Sequence, residues 1–455
     1  METKVCIDKL INNAKIAQEE YSKFSQEKVD SIVREIAKVV YDRAEELAKM
    51  AVEETRMGVY ENKVSKNKGK SKTIWNNLKT KKSIGILEED KNTGIIKVAK
   101  PKGVIAAVTP CTNPIVTPMC NAMFALKGGN AIIVAPHPRA KKCNKYVVDL
   151  FNEAIKKLGA PENLIQTIEE PSIDLTSELM GKVDVVIATG GMGMVKSAYS
   201  SGKPAYGVGA GNVQCIIDRD IDISEAVPKI ITGRTFDNGI ICSGEQSIIA
   251  PKESYNEIIE EFEKNGAYYT ENPETIEKFA SVMFPENGPI NGKIVGQSTQ
   301  FIADLAGVKI PENTKVIILK ARGNGREDVL CKEKMCPVMI SFEYDTFEDA
   351  VKLAQNDLNF EGKGHSCAIH SNNKEHIEYA GKHLTVSRLV VNQPSSTSAG
   401  GSLYNGFAPT TTLGCGSWGN NSISENLDYK HLINVSRIGF FNSDAKIPSD
   451  DEIWA

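Results

Sequence analysis

The sequence has 455 residues, a formal net charge of −4 and 41% hydrophobic residues, so it can bury the cores of two or three domains. The charge shows no basic excess, which gives no reason to expect nucleic acid as a partner. No window has the apolar length of a membrane span or of a secretory signal, and we therefore expect a cytoplasmic protein without membrane partners.

The N-terminal part, residues 3–57, is predicted to be helical. After Ser25, a suitable N-cap, apolar residues recur on one helical face: Val29, Ile32, Val33, Ile36 and Val40. The first helix could instead be a detachable targeting helix, but no flexible linker follows it. The lysine-rich residues 63–82 are expected to form a solvated, mobile segment. Steering of a phosphate group by these lysines is the less favoured alternative.

From about residue 94, predicted strands alternate with predicted helices. The strands are residues 95–98, 104–108, 131–134, 164–167 and 183–188, and the helices include residues 140–158 and 175–180. Strands separated by helices of this length indicate βαβ units and a parallel sheet that is covered on both faces. The first half of the chain is therefore predicted to be a doubly wound α/β domain.

Two strand ends in this half carry groups that suit a dinucleotide, because ligands of such sheets lie beyond the carboxyl ends of the strands. Thr189, Gly190, Gly191 and Gly193 open a helix and would let a backbone approach a pyrophosphate. The alternative for them is a plain helix cap.

The second strand end is followed by a basic turn of four candidate residues: His137, Pro138, Arg139 and Lys141. These side chains suit the 2′-phosphate of NADP. A surface basic turn is the alternative. The glycine-rich residues 207–212 precede a strand, 213–217, and so lack the context of a dinucleotide fingerprint.

Cys242 follows an Asn-Gly turn signal and an apolar pair, and a predicted strand, residues 247–250, comes soon after. A thiol at such a turn, next to free backbone N–H groups of a following helical turn, can have a lowered pKa. This setting suits a nucleophile. A small buried hydrophobic residue is the alternative, since free cysteines usually lie in cores.

The second half repeats the α/β pattern, with helices around residues 258–262, 301–305 and 347–354 and a strand at 316–319. An apolar tail contains residues 432–435 and 438–441, which we expect to pair with another strand, either of this chain or of a neighbouring subunit. The predicted domains are residues 1–222, which bind the dinucleotide, residues 223–425, which carry Cys242, and residues 426–455, which return to the first domain as an oligomerisation strand. Cys242 would then face the cofactor across the cleft between domains.

The ten cysteines show no CxxC and no dense disulfide spacing, and the six histidines show no HxxxH pair. This distribution is typical of reduced thiols in a reducing compartment. We expect no metal site.

Together these segments resemble the aldehyde dehydrogenase superfamily, and specifically its coenzyme A-acylating branch. The resemblance rests on residues 108–114, 135–138, 238–242 and 364–365. Residues 206–209, 392–394 and 410–419 are similar to the clostridial type of acylating succinate-semialdehyde dehydrogenases. The resemblance implies two doubly wound α/β domains with a small β oligomerisation element, and a homodimer or a dimer of dimers.

The resemblance also implies roles for individual residues. Cys242 would be the nucleophile, and its backbone N–H would stabilise the oxyanion together with Asn113 or the adjacent Thr112. His365 would assist proton transfer, with a packed structural histidine as the alternative. Glu333 would hold the nicotinamide ribose, unless it is an ordinary exposed acid. The implied cofactor-binding set is completed by Thr109, Pro110 and Gly209.

Hydrolytic relatives carry a glutamate that activates water where this chain has Gly207. Without that base, a thioacyl intermediate can wait for the thiol of coenzyme A, which ionises more readily than water. Glu245 could be proposed as a substitute base, but a structural role is favoured.

The implied reaction converts succinyl-CoA and NADPH reversibly to succinate semialdehyde, CoA and NADP+, with NAD as a possible alternative cofactor. The substrate carboxylate needs a cation, for which Arg388 and Arg234 are candidates, although both could be structural ion-pair partners. Ser243 and residues 395–398 could add hydroxyl donors. Alternatives are an acetyl, propionyl or butyryl substrate, a hydrolytic dehydrogenase and a non-redox cysteine acyltransferase.

Overall fold

The computed structural model describes residues 7–455 of the chain. These residues form fifteen strands, numbered in chain order: β1 (Gly85–Asp90), β2 (Ile95–Pro101), β3 (Val104–Thr109), β4 (Ala131–Pro136), β5 (Ile165–Thr167), β6 (Val185–Thr189), β7 (Ala205–Val208), β8 (Val213–Ile217), β9 (Glu245–Pro251), β10 (Ala267–Thr270), β11 (Val316–Lys320), β12 (Val338–Tyr344), β13 (Gly364–His370), β14 (Val386–Val391) and β15 (Ile433–Gly439).

The same residues form sixteen α-helices, also numbered in chain order: α1 (Ile7–Tyr21), α2 (Gln26–Asp42), α3 (Ala44–Thr55), α4 (Tyr60–Leu78), α5 (Val116–Lys127), α6 (Lys141–Lys156), α7 (Ile173–Lys182), α8 (Met192–Tyr199), α9 (Ile223–Thr235), α10 (Tyr255–Lys264), α11 (Pro273–Met283), α12 (Thr299–Ala306), α13 (Phe347–Phe360), α14 (Lys374–His383), α15 (Ser395–Ser398) and α16 (Asp450–Trp454).

The predicted N-terminal helical region forms three helices, α1 to α3. Ser25 caps α2, because its side chain accepts a hydrogen bond from the Lys28 N–H. The predicted apolar face of α2 is fully buried, and this helix packs on α4, α5 and α6. Residues 3–6, where the helical prediction began, lie outside the described residues, as does Cys6.

The lysine-rich segment is not a mobile loop, as the sequence predicted, but the helix α4. Its buried face is lined in its first half by polar side chains, Lys63, Asn67 and Ser71, and only then by Ile74 and Leu78. Lysine stems can be buried if the ammonium groups find partners. The run of lysines therefore predicted a solvated segment where the structure has a helix with one buried face.

The first α/β unit is built on a parallel sheet of five strands in the order β5-β4-β3-β6-β7. The central strands, β3 and β4, are buried along their whole length, as expected of strands covered by helices on both faces. The carboxyl ends of β3, β4 and β6 carry three of the predicted cofactor segments.

The second unit is a parallel sheet of seven strands in the order β10-β11-β12-β9-β8-β13-β14. It begins with β8, which pairs with β9 and β13, so the predicted domain boundary at residue 222 falls too late. The chain crosses between the two sheets in the four residues from Gly209 to Asn212. The predicted α/β class is confirmed by the two parallel sheets.

A small antiparallel sheet has the order β1-β2-β15 and joins the tail to the first half of the chain. Just before β15, Leu432 lies in the core around the five-stranded sheet, and its carbonyl accepts a hydrogen bond from the Asn130 side chain. Among residues 7–455, no helix has both the length and the apolar character needed to cross a bilayer.

Candidate active site

Cys242 lies in a turn directly before β9, the central strand of the seven-stranded sheet. The Gly244 N–H donates to the Ile241 carbonyl at 2.9 Å, which places Cys242 and Ser243 at the two central positions of a β-turn. The predicted helical turn after the cysteine is absent, since the chain enters β9 at Glu245. The backbone N–H of Cys242 donates to no carbonyl of the described residues and is free for a ligand.

The loop before the nucleophile has an unusual backbone. Asp237, Asn238 and Gly239 have φ angles of 55°, 53° and 69°, so three successive residues are left-handed. Such a conformation persists in non-glycine residues only where neighbouring groups fix it.

The Asp237 carboxylate fixes this loop from inside the protein. It is fully buried and accepts hydrogen bonds from Lys63 Nζ at 3.0 Å, from Lys66 Nζ at 2.6 Å and from the Val59 N–H at 2.8 Å. Burial favours the neutral acid, but the two ammonium groups outweigh it and lower the pKa of Asp237. The loop is therefore held against α4 by a buried carboxylate.

Arg234, which the sequence suggested as a substrate ligand, supports the same loop in the structure. Its guanidinium is fully buried and donates to the carbonyls of Glu245, Gly239 and Cys336. The side chain lines neither of the cavities next to Cys242. With its donors used by backbone carbonyls, Arg234 fixes the main chain on both sides of the nucleophile.

Gly211 brings the crossover between the sheets against the nucleophile turn. A Cβ atom at this position would overlap the carbonyl oxygen of Cys242 and lie 3.0 Å from Cε1 of His365. Only glycine permits this approach of two backbones. The Gly211 N–H in turn donates to a carboxylate oxygen of Glu333 at 3.0 Å.

Two cavities meet at Cys242. The larger, of about 390 Å³, reaches along the carboxyl ends of β3, β4 and β6, and the smaller, of about 210 Å³, lies towards α4. Asn113, Cys242 and Thr411 line both. The nucleophile is thus reachable from two sides.

The larger cavity collects most of the predicted cofactor residues. Its walls include Thr109, Pro110, Thr112, His137, Pro138, Arg139, Thr189, Gly190, Gly191, Gly209 and Glu333. The Thr109 hydroxyl is buried without a hydrogen-bond partner among the described residues. No atom lies within 4 Å of where a Cβ would stand at Gly190 or Gly191. An unsatisfied hydroxyl and an open glycine turn at strand ends fit a dinucleotide.

Two predicted cofactor residues lie outside this cavity. Gly193 is in the first turn of α8 and does not line it. Lys141 does not line it either, and its ammonium pairs with the Glu170 carboxylate. Of the three basic side chains predicted to bind the cofactor, His137 and Arg139 therefore line this cavity. The pKa of His137 is lowered by burial and by the nearby positive charge of Arg139.

Asn113 is oriented by a lysine. Its side-chain oxygen accepts a hydrogen bond from Lys66 Nζ at 2.5 Å, which leaves the amide N–H groups as donors to a ligand. Thr112, the other candidate for this position, lines only the larger cavity. The geometry favours Asn113 as the side-chain donor beside Cys242.

The Cys242 thiol is not activated in the protein without ligands, which differs from the expectation of a lowered pKa. Its pKa is raised to about 12, mainly because burial disfavours the thiolate, and further because Glu333 and Cys415 are near. No helix start follows the cysteine to offset these effects. Cys242 is therefore protonated at neutral pH before substrate binds.

Few carboxylates are near the nucleophile. Among the described residues that line the two cavities, Glu333 is the only acid, and burial raises its pKa to about 8. Glu245 lines neither cavity and accepts a hydrogen bond from the Ser395 N–H at 2.7 Å. This contact agrees with the structural role that the sequence favoured for Glu245.

Gly207, the position at which the resemblance implies a glutamate in hydrolytic relatives, is too crowded for a side chain unless its neighbours move. A Cβ atom here would lie 2.7 Å from Val195 Cγ1 and 2.8 Å from Tyr199 Cε2. A carboxylate at this position would require both neighbours to move. A glutamate base at position 207 is therefore absent from the sequence and is also disfavoured by the packing around this glycine.

His365 and Arg388 lie behind the nucleophile rather than in a cavity. His365 is fully buried, its Nε2 has no partner among the described residues, and burial keeps its pKa well below the usual value. Arg388 donates to Ser366 Oγ, Asn426 Oδ1 and the His365 carbonyl. The predicted substrate clamp by Arg388 is therefore not supported, because its donors bind protein oxygens.

The sequence profile of the aldehyde dehydrogenase family matches residues 1–275, more than half of the chain. The chain belongs to the aldehyde dehydrogenase family. It is 61% identical over 454 residues to a succinate-semialdehyde dehydrogenase (acetylating) of Clostridium kluyveri, with 100% of both chains covered. This similarity confirms the predicted resemblance to the acylating branch of the aldehyde dehydrogenases.

Two solved structures show what related sites contain. An engineered glycolyl-CoA reductase with bound NADP+ has a TM-score of 0.84 and 31% identity, over 95% of this chain and 96% of that one. The propionaldehyde dehydrogenase of Rhodopseudomonas palustris with bound CoA and an acylated cysteine has the same TM-score and identity, over 95% and 97% of the two chains. The predicted aldehyde dehydrogenase fold is confirmed.

Sequence reasoning missed two lysines of this aldehyde dehydrogenase, Lys66 and Lys70, which line the smaller cavity. Their spacing of four residues puts them on one face of a helix, which was the available signal. The partner of Lys66, Asp237, lies 171 residues further along the chain and could not be assigned from the sequence alone.

Replacing Asp237 by asparagine should lower the free energy of unfolding by about 3–5 kcal/mol, because two buried ammonium groups lose their anion. The control is Asp42→Asn, which breaks an exposed pair with Lys38 and should change it by less than about 1 kcal/mol. Denaturant titration of both variants measures the difference. Equal losses would contradict the role assigned to Asp237.

Replacing Gly211 by alanine should lower turnover by about 100-fold or more, because the added methyl group displaces the nucleophile turn. Gly181→Ala is the control, since no atom lies within 4 Å of a Cβ at that helical position. Steady-state kinetics of aldehyde oxidation with CoA measures both. Normal turnover in the Gly211 variant would show that the close approach is not required.

Proposed function

We propose that this aldehyde dehydrogenase converts succinyl-CoA and NADPH reversibly to succinate semialdehyde, CoA and NADP+. The observation that carries the proposal is the position of Cys242, at the junction of a cavity lined by the predicted dinucleotide-binding residues and a smaller one lined by two lysines and several hydroxyl groups. The succinyl substrate is supported by the relative that shares 61% of its residues with this chain over its full length.

The reaction begins when Cys242 Sγ attacks the thioester carbonyl. Its proton must leave at the same time, because the thiol is protonated at rest. We assign proton transfer to His365, a buried imidazole whose Nε2 has no hydrogen-bond partner among the described residues and whose Cε1 packs against Gly211, as the Cys242 carbonyl does. The oxyanion receives hydrogen bonds from the Cys242 N–H and from the Asn113 amide, and CoA leaves as a thiolate.

The larger cavity is assigned to the nicotinamide cofactor, which supplies a hydride to the thioacyl carbon when it is bound. The Gly190–Gly191 turn and the Thr109 hydroxyl would contact its phosphates and ribose. Glu333 would accept hydrogen bonds from the ribose hydroxyls beside the nucleophile. The thiohemiacetal on Cys242 then collapses and releases the aldehyde.

The site protects the thioacyl-enzyme from water. Gly207 offers no base, and Glu333 is the only carboxylate among the described cavity residues, with a pKa raised to about 8 that keeps much of it protonated. Water is a poor nucleophile without a base. The thiol of CoA needs less help, because it ionises far more readily.

NADP is favoured over NAD by the basic turn after β4. Arg139 lines the larger cavity, and one of its guanidinium nitrogens donates to the Thr55 carbonyl at 3.0 Å, which leaves further donors for an anion. A guanidinium is the side chain best suited to a phosphate monoester. This proposal assigns the 2′-phosphate to Arg139 and His137.

We also propose a cytoplasmic homodimer or dimer of dimers. The nine cysteines from Cys111 to Cys415 are all free thiols, as expected in a reducing compartment. Exposed apolar side chains occur on and after β15: Ile438, Phe440, Phe441 and Trp454. Such side chains at a sheet edge suit contact with a second copy.

Incubation of the protein with succinyl-CoA alone should acylate Cys242, and Cys242→Ala should abolish NADPH oxidation, because the thioacyl bond forms before hydride transfer. The matched control is Cys111→Ala, since Cys111 is another partly exposed thiol of the larger cavity. Peptide mass spectrometry and NADPH absorbance measure the two effects. Label on another residue, or oxidation without Cys242, would refute the covalent route.

Arg139→Ala should lower the ratio of kcat/KM for NADPH over NADH by about 10-fold or more, because it removes a charge-assisted hydrogen bond to the 2′-phosphate. Lys141→Ala is the control, because that ammonium is paired with Glu170 outside the cavity. Steady-state kinetics with both cofactors gives the ratio. An equal change in both variants would count against a phosphate site at Arg139.

A further inference from the structure

The smaller cavity next to Cys242 has a lining that suits an anion attached to a short apolar chain, since apolar side chains such as Val116 and Leu413 stand beside its cationic and hydroxyl groups. Its described lining includes two lysines and no aspartate or glutamate, together with hydroxyl groups that can donate hydrogen bonds: Ser65, Thr73, Ser243, Ser396, Thr397, Ser402, Thr410 and Thr411. Cations and hydroxyls without an acid are suited to a ligand that carries negative charge. The two arginines that the sequence offered for this purpose are both occupied by protein oxygens.

The charges around this cavity do not balance. Lys63, Lys66 and Lys70 contribute three ammonium groups from one helix, and Asp237 contributes one carboxylate, so three minus one leaves two positive charges. Lys63 and Lys66 share that carboxylate. Lys70 has no carboxylate within 4.0 Å among the described residues.

Lys70 is held in place but is not neutralised. Its ammonium donates to the Gly400 carbonyl at 2.7 Å and to the Thr410 carbonyl at 3.2 Å. An ammonium has three donors, so one remains for a ligand. Lys70 is partly buried, and a cation in that position bound only by neutral carbonyls gains from an anionic partner. Burial accordingly lowers the pKa of Lys70 to about 8.

The spacing along α4 fits a short dicarboxylic acyl group. Lys66 orients Asn113 at the thioester end, and Lys70 lies one helical turn further, about 6 Å along the axis. In an extended succinyl group, two methylenes place the carboxylate carbon about 4 Å from the carbonyl carbon. Cys242 and Lys70 line the same cavity of about 210 Å³, so a carboxylate tethered at Cys242 lies in the cavity that Lys70 lines.

We propose that Lys70 binds the terminal carboxylate of a four-carbon ω-carboxyacyl group and so determines the acyl specificity of the enzyme. The hydroxyls of Ser243 and Ser402 would complete the site. This inference rests on the proposed function and deepens it, since it names the residue that distinguishes succinyl-CoA from an uncharged acyl-CoA of equal length.

The test compares succinyl-CoA with butyryl-CoA, which carries a methyl group in place of the carboxylate. Lys70→Met keeps the length of the stem and removes the charge. The ratio of kcat/KM for succinyl-CoA over butyryl-CoA should fall by about 10- to 100-fold, the effect of one charge-assisted hydrogen bond. The control is Lys72→Met, which removes the same charge from the exposed face of α4 and should leave the ratio unchanged.

The wild-type enzyme provides a second measurement that needs no variant. The ratio should fall as the pH rises through about 8, because Lys70 loses its proton while the substrate carboxylate stays charged. The titratable groups that face Lys70 are Lys66 on α4, Cys120 on α5 and Cys242. Titration of Cys242 affects both substrates and cancels in the ratio.

Three outcomes would overturn the assignment of Lys70 alone: an unchanged ratio in Lys70→Met, equal losses with both substrates, or a wild-type ratio that is flat with pH. Each of these requires that the wild type reduces succinyl-CoA. A wild-type enzyme that reduces butyryl-CoA but not succinyl-CoA would instead overturn the proposed substrate, and Lys70 with it.

Discussion

The buried carboxylate of Asp237 is the interaction on which the active site depends. It holds three left-handed residues of the nucleophile loop and binds two lysines of α4. Each left-handed non-glycine residue costs about 1–3 kcal/mol, so the loop would relax without this anchor. A buried ion pair adds little net stability, but it fixes one arrangement. Here the fixed arrangement is the position of Cys242 relative to α4.

The same interaction links Asn113 beside the nucleophile to the smaller cavity. Asp237 binds Lys66, Lys66 orients Asn113, and the next turn of α4 carries Lys70. A displacement of α4 would therefore disturb the oxyanion donor and the small cavity together. On the other side, Gly211 packs against the Cys242 carbonyl and places Glu333 beside the nucleophile. The thiol is thus located by contacts from both sheets.

The sequence predicted the elements of the fold well, because buried parallel strands are continuous apolar runs. The strand predicted at residues 104–108 is β3, Val104–Thr109, and the strand after the glycine-rich residues 207–212 is β8. The structure brings Cys242, Asn113 and most of the predicted cofactor residues together at two adjoining cavities, since turns at strand ends have local signals. Such signals need no knowledge of distant partners.

What the sequence could not provide were partners far apart in the chain. The lysines of α4 looked solvated because Asp237 lies more than 170 residues away. Arg234 and Arg388 looked free to bind a substrate, but their donors are taken by carbonyls and side chains of other elements. An arginine with five donors can serve a ligand or a backbone equally well, and only the fold decides between them.

The raised pKa of Cys242 and the absence of a water-activating base have a common consequence. A protonated thiol is a weak nucleophile and reacts slowly with oxidants, so we expect Cys242 to react slowly with them in the absence of substrate. Once the thioester has formed, the scarcity of carboxylates at the cavity walls keeps water inactive as well. The acyl group is then transferred efficiently to a thiol, because a thiol ionises more readily than water and does not need a base from the protein. In the proposed mechanism, the burial of Cys242 and the crowded glycine at position 207 therefore both favour coenzyme A over water as the acyl acceptor.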